Sequence, residues 1–63
     1  MYSKREKEVI SWVVQGLKNK DIASQMQVHE KTVKFHLTNI YKRAGVNSRA
    51  QLLIKALKGE VNV

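Results

Sequence analysis

This chain of 63 residues contains no cysteine and no proline. Without cysteine, no disulfide can stabilise the fold and no cysteine-based zinc site can form. No apolar run approaches the roughly 20 residues that a membrane-spanning helix needs. A chain of this size buries only roughly 60% of the surface that its unfolded form exposes, which leaves little volume for a catalytic cleft. We therefore expect one small domain over residues 1–63, with no enzymatic activity, no metal site and no cofactor.

Acidic residues are also few, since 5 Asp and Glu stand against 12 Lys and Arg and give a net charge of +7. Such an excess of positive charge favours a polyanionic partner, either nucleic acid or an anionic membrane surface. The basic residues 1–5 are not followed by the apolar segment of a secretory signal. The lack of such a signal and of cysteine is consistent with a cytoplasmic location.

Glycines divide the chain into helical blocks. Each glycine follows a stretch in which apolar residues recur at helical spacing, and glycine tolerates the left-handed conformation in which many helices end. The three positions are Gly16, Gly45 and Gly59. The pattern predicts an all-α fold of four helices and no strands, with helices over residues about 4–15, 20–26, 30–43 and 48–58.

Polar residues predict how three of these helices begin. Ser3 with Glu6, and Ser48 with Gln51, have the spacing of capping boxes, in which two side chains satisfy free backbone amides. Asn19 is a suitable cap for the second helix.

The apolar residues predict which helix faces are buried. In the first helix they are Val9, Ile10, Val13, Val14 and Leu17. In the third they are Val33, Leu37, Ile40, Tyr41 and Ala44. In the fourth we expect a core face of Ala50, Leu53, Ile54 and Leu57, with Leu52 and Ala56 outside it. Val28 and Val46 should fold onto the core, and residues 60–63 should form a frayed tail.

The second and third helices are separated by a short break at residues 27–29, which predicts a helix-turn-helix. In this motif the second helix enters the major groove of DNA, which admits one α-helix. Its outer face combines long cations, hydroxyls, an amide and one aromatic ring: Lys31, Thr32, Lys34, Phe35, Thr38, Asn39 and Lys42. The lysines could reach guanine or phosphate, and Phe35 could rest on a thymine methyl group. The alternatives are an ordinary solvated face and a Phe35 that packs on a neighbouring helix.

Four segments resemble the LuxR/NarL-type (GerE-like) DNA-binding domain of bacterial transcription regulators. They are SKREKEV at 3–9, NKDIA at 19–23, KTVKFH at 31–36 and GVNSRA at 45–50. The resemblance covers about residues 2–58. It implies a four-helix domain whose third helix reads the major groove and whose fourth helix supports dimerisation.

Residue roles follow partly from this resemblance and, for Lys31 and Lys42, from charge on the outer face. The candidate base-contacting residues are Lys31, Lys34, Phe35 and Thr38. The candidate phosphate-contacting residues are Lys20, Thr32, His36 and Lys42. The resemblance implies a dimer interface at Leu52, Lys55 and Ala56.

Two positions depart from the family pattern. Tyr2 stands where leucine is usual, so the chain should enter the fold with different packing. His29 replaces the usual serine or threonine cap before the third helix. Because histidine caps poorly, that helix should begin more weakly, or a protonated His29 should face a phosphate.

We predict sequence-specific binding of double-stranded DNA in transcription regulation, with weak homodimerisation through helix 48–58. RNA polymerase and a regulatory domain absent from this chain are further candidate partners. The alternative is a protein-docking module that binds polyanions only non-specifically. A membrane-bound helix would need a free apolar face, and RNA binding would need clustered exposed aromatics. His29 and His36 are seven residues apart, whereas a metal pair on a helix prefers four.

Overall fold

The computed structural model describes residues 2–61, which form four α-helices. They are α1 (Lys4–Val14), α2 (Asn19–Met26), α3 (Glu30–Ala44) and α4 (Arg49–Leu57), and the described range contains no strand. The predicted all-α fold is confirmed, and each predicted helix end lies within one residue of the observed end. Because α3 packs against each of the other three helices, its position is fixed from several sides.

The start of α1 has the predicted capping box. The Ser3 hydroxyl oxygen accepts from the Glu6 backbone N–H at 3.1 Å, and the Glu6 carboxylate accepts from the Ser3 backbone N–H at 2.9 Å. Two backbone donors that the helix itself cannot satisfy are thereby paired.

The start of α2 differs from the prediction, because Asn19 is the first helical residue rather than the cap. Lys18 occupies the cap position and makes no side-chain cap bond. The Asn19 side-chain oxygen instead accepts from the Arg49 guanidinium at 2.6 Å, and the same guanidinium donates to the Leu17 carbonyl. The Asn19 oxygen that was predicted to cap α2 therefore accepts a hydrogen bond from Arg49 instead. This bond connects the start of α2 to α4.

The turn between α2 and α3 runs through residues 27–29, as predicted. Gln27 ends α2 in the left-handed conformation, with φ 58° and ψ 45°. Val28 is half-buried against the core, and its backbone N–H donates to the Ala23 carbonyl at 3.0 Å. His29 precedes α3 without a side-chain cap bond. The start of α3 is therefore held by the packing of Val28 rather than by a capping side chain.

The core lies between the four helices and the last described segment. Its buried members are Val9, Ile10, Val13, Ile22, Ala23, Met26, Val33, Leu37, Ile40, Val46, Leu52 and Val61. Val46 folds inward as predicted. Val14 is exposed, contrary to expectation, because it lies at the rim of the α1 apolar stripe. The expected frayed tail is wrong at Val61, whose side chain adds apolar burial to a small core; residues 62–63 lie outside the described range.

The predicted orientation of α4 is wrong. Leu52 is fully buried and Ala56 packs against the core, whereas Ile54 and Leu57 are 53% and 70% exposed. Ala50 is exposed as well, and Leu53 is half-buried. Since apolar residues occur all around this short helix, their spacing alone does not select the face that meets α1 and α3.

Candidate nucleic-acid interface

The outer face of α3 consists of exposed residues on the side opposite the core: Lys31, Lys34, Phe35, Thr38 and Lys42. The opposite side of the same helix is buried through Val33, Leu37 and Ile40. The polar and apolar residues alternate with the helical period, so the helix presents one cationic side and one core side. All four predicted base-contacting residues lie on the outer face of α3.

The predicted phosphate-contacting residues are spread over a wider area. Lys42 lies on the outer face of α3, and Lys20 is exposed in the first turn of α2. Thr32 and His36 are half-buried at the margin of α3. The pKa of Glu6 in α1 is lowered mainly by the Ser3 backbone hydrogen bond, and His36 makes the smallest contribution in the same direction.

Phe35 is 64% exposed, but its ring still has specific neighbours. The ring meets the neighbouring His36 imidazole edge to face, with centroids 6.1 Å apart and planes at 61°. An open hollow of about 450 Å³ beside it is lined by His29, Lys31, Thr32 and Phe35. The aromatic ring therefore forms one wall of a concave region at the start of α3.

Thr38 carries a hydroxyl group that is already engaged within α3. Its proton is donated to the Lys34 carbonyl at 2.9 Å, one helical turn earlier. The side chain can therefore offer a methyl group or oxygen lone pairs to a ligand, and it offers a donor only if this internal bond breaks.

An ion pair that local sequence reasoning missed anchors the end of α3. The Arg43 guanidinium lies 2.5 Å from the Glu6 carboxylate, which is 5% exposed. The hydrogen bond from the Ser3 backbone lowers the pKa of Glu6, as does the charge of Arg43, while burial acts in the opposite direction. The only sequence signal at Glu6 was its capping spacing, which says nothing about a partner 37 residues away.

Lys55 of α4 anchors the same end of α3. Its ammonium group donates to the Ala44 carbonyl at 2.8 Å, and this carbonyl is among those that the end of a helix leaves unpaired. Lys55 therefore has a role within the chain, in addition to its predicted place in a dimer interface. Leu52, another predicted interface residue, is fully buried and unavailable to a partner in this fold.

The segment that contains the helix-turn-helix has a clear excess of positive charge. Residues 18–44 hold six Lys and Arg against two Asp and Glu. No helix in the described range is long and apolar enough to cross a membrane. Among residues 2–61 there is also no group of three or more potential metal ligands. Three of these cations, Lys31, Lys34 and Lys42, are exposed on the outer face of α3.

Comparison with known proteins agrees with this arrangement. The family model described as "Bacterial regulatory proteins, luxR family" matches residues 1–56. The chain belongs to the LuxR family of bacterial regulatory proteins. As a LuxR-family domain it is a DNA-binding module of transcription regulation built on a helix-turn-helix, and it is not an enzyme.

Several relatives of this LuxR-family domain differ greatly in length. It is 38% identical to the spore germination protein GerE of Bacillus subtilis over 64 aligned positions, which cover all of this chain and 86% of GerE. It is 37% and 35% identical to the transcriptional regulatory proteins YhcZ and YxjL of the same organism, covering 95% of this chain but only 28% of each relative. No solved structure gives a significant match.

Proposed function

We propose that this domain binds specific sequences in double-stranded DNA, with α3 lying in the major groove. The observation that supports this proposal is the outer face of α3, where three lysines surround Phe35 and Thr38 on the side opposite the core. The groove admits one α-helix, and the phosphates along both of its edges attract the lysines. Since α3 contacts all three other helices, it can enter the groove as a rigid element.

The proposed contacts divide into two sets. Base edges are contacted by Lys31, Lys34, Phe35 and Thr38. Phosphates are contacted by Lys20, Thr32, His36 and Lys42. The first set selects a sequence, and the second set positions the domain on the duplex without selecting one.

We further propose weak homodimerisation through the apolar ridge of α4, which we define as Ala50, Ile54 and Leu57. These exposed residues are spaced by four and three positions, so they form one strip along the helix. A two-fold axis can bring this strip against its own copy. The strip is small beside the interfaces of permanent dimers, so association should be weak in solution and stronger on two half-sites about 34 Å apart.

The apolar ridge of α4 also favours a second candidate function, protein docking with only non-specific binding of polyanions. RNA polymerase and a regulatory domain outside this sequence are candidate partners for such docking. Leu57, which is 70% exposed, is the specific observation behind this alternative. In either case we assign the action of the domain to the cytoplasm, because bacterial DNA lies there.

The salt dependence of binding tests the proposed function. Fluorescence anisotropy with a labelled duplex, repeated between 50 and 200 mM salt, should give an association constant that falls steeply as salt rises. Changing Lys31, Lys34 and Lys42 to glutamine removes three cations from the outer face of α3. The slope of log K against log salt should then decrease in magnitude by about 0.9, because Lys42 is assigned to a phosphate and each lost phosphate contact contributes about that much, whereas Lys31 and Lys34 are assigned to base edges.

A matched variant removes the same charge elsewhere. Lys4 and Lys7 are exposed on α1 and Lys58 follows α4, so their change to glutamine lowers the net charge equally. This control should keep most of the original slope. If both triple variants lost the same slope, binding would depend on net charge alone and the groove assignment would fail. Self-association that Leu57→Glu abolishes, without any retention of duplex, would favour the docking function.

A further inference from the structure

Phe35 occupies a particular place on the outer face of α3. The helical period puts it on the side of α3 opposite the buried Val33 and Ile40. Its ring is 64% exposed and contributes little to the packing of the domain. Exposed single apolar residues are common, so exposure alone assigns no role to this ring. The informative observation is the chemistry that surrounds it.

Positive charge surrounds Phe35 along the helix. Lys31 lies one turn before it and Lys42 lies two turns after it, while Lys34 is its neighbour in the chain. An apolar protein surface placed on this ring would bury these ammonium groups without compensation. A duplex offers phosphates to the lysines and base edges to the ring at the same time. Charge complementarity therefore favours DNA as the occupant of this patch.

The region beside the ring has space for a base edge. Phe35 lines the open hollow of about 450 Å³, and its edge-to-face contact with His36 favours one orientation of the ring. Thr38 lies one turn later, and its hydroxyl proton is held by the Lys34 carbonyl at 2.9 Å. Neither Phe35 nor Thr38 therefore presents a free hydrogen-bond donor to a base, and what they share is apolar carbon.

The major groove presents one apolar group, the 5-methyl of thymine, among hydrogen-bond donors and acceptors. We propose that Phe35 reads thymine methyl groups, with Thr38 beside it, and so makes the preferred sites of this domain contain thymine at fixed positions. This inference rests on the proposed binding of α3 in the major groove. It assigns sequence preference to an apolar contact, whereas the lysines supply affinity and guanine or phosphate contacts.

The test removes the methyl group from the DNA and leaves its hydrogen bonding unchanged. A binding site is first selected from a pool of random duplexes, and each thymine in it is then replaced singly by deoxyuridine. At one or two positions we expect the dissociation constant to rise about fourfold, the effect of one buried methylene-sized group. Replacement there by 5-bromodeoxyuridine, whose bromine is close to a methyl group in size, should restore binding.

Protein variants locate the contact. With Phe35→Ala the penalty for deoxyuridine at those positions should disappear, while Val14→Ala, an exposed apolar change on α1, should keep it. Circular dichroism should show both variants folded. Tight, salt-dependent duplex binding without any deoxyuridine penalty, or with a penalty that survives in Phe35→Ala, would overturn this inference alone. Failure to bind duplex in a salt-dependent way would instead overturn the proposed function on which it rests.

Discussion

The helices α3 and α4 each bury one face in the same core, but their outer faces differ in chemistry. The outer face of α3 carries three lysines around a single aromatic ring. The apolar ridge of α4 carries Ile54 and Leu57, with Lys58 only after the helix ends. The outer face of α3 is complementary to a polyanion that also has apolar groups between its charges. The apolar ridge of α4 is complementary to another apolar surface. The proposed DNA contact and the proposed self-association should therefore respond to substitutions on different helices.

The largest expected effect on stability comes from substitution of the buried face of α4. Leu52→Ala removes a fully buried side chain and should lower the free energy of unfolding by about 2–5 kcal/mol, enough to unfold a domain of this size. Leu57→Ala on the opposite face should change it by no more than about 0.5 kcal/mol. Urea unfolding followed by circular dichroism measures both. Equal effects would mean that α4 is rotated relative to the structure described.

A second prediction separates base contact from phosphate contact. Lys34→Ala should weaken binding to a selected site by about 1–3 kcal/mol and relax preference at one base pair. Lys20→Ala should weaken all duplexes to a similar extent and reduce the salt slope by about 1. Anisotropy with selected and scrambled duplexes distinguishes the two patterns. If neither variant altered binding, α3 would not be the helix that contacts DNA.

A third prediction concerns the ion pair that holds the end of α3. Because the pKa of Glu6 in the folded protein lies below its ordinary value of 4.5, its contribution to stability is present above that pH and is lost as the pH falls through the folded pKa. Glu6→Gln retains an acceptor for the Ser3 backbone but loses the charge that pairs with Arg43. At pH 7 it should cost about 1 kcal/mol, a modest value because Arg43 is half exposed.

Urea unfolding of the wild type and Glu6→Gln at pH 7, 5 and 3 checks this prediction. The difference in the free energy of unfolding should shrink as the pH falls from 7 to 3, because a growing fraction of the wild-type carboxylate is protonated as the pH approaches the folded pKa. Glu8→Gln, a substitution on the same helix, serves as the control for the loss of one negative charge from α1. A constant difference for Glu6→Gln across the three pH values would contradict the role of the carboxylate charge.

The smallest effect is expected at the turn that leads into α3. Gln27 has a positive φ of 58°, which costs a residue with a side chain roughly 1–2 kcal/mol. Gln27→Gly removes this strain but increases the entropy of the unfolded chain by an amount worth about 0.4–1 kcal/mol. The net result should be stabilisation by roughly 0.5 kcal/mol, measured as a higher urea midpoint. A loss of stability would indicate that the Gln27 side chain makes a contribution of its own.

The two helices also differ in how well the sequence predicts them. In α3, charged residues and core residues alternate sharply, so Val33, Leu37 and Ile40 identify the buried face without ambiguity. In α4, six of nine residues are apolar, and the periodic pattern fits more than one face. Leu52 is buried because its face of α4 packs against α1 and α3, and this packing depends on the tertiary structure.

Local sequence patterns also could not predict side-chain contacts between segments that are distant in the sequence. Asn19 is a residue type that often caps helices, but its side-chain oxygen accepts a hydrogen bond from Arg49, which is 30 residues away in the sequence. Glu6 fulfils its predicted capping role and also pairs with Arg43, which no local spacing reveals. The exposure of the outer face of α3 was predictable, because helical periodicity indicates directly which residues lie on the side away from the core. That these residues contact DNA stays a prediction.

The central claim, that α3 rather than α4 meets DNA, is tested most directly by nuclear magnetic resonance. The amide signals of the isotopically labelled domain would be followed as a duplex of about ten base pairs, the length of one half-site, is added. We predict that the largest shifts occur at Lys31, Phe35 and Thr38, with little change at Ile54 and Leu57. The largest shifts at Ile54 and Leu57, with α3 unaffected, would contradict the account.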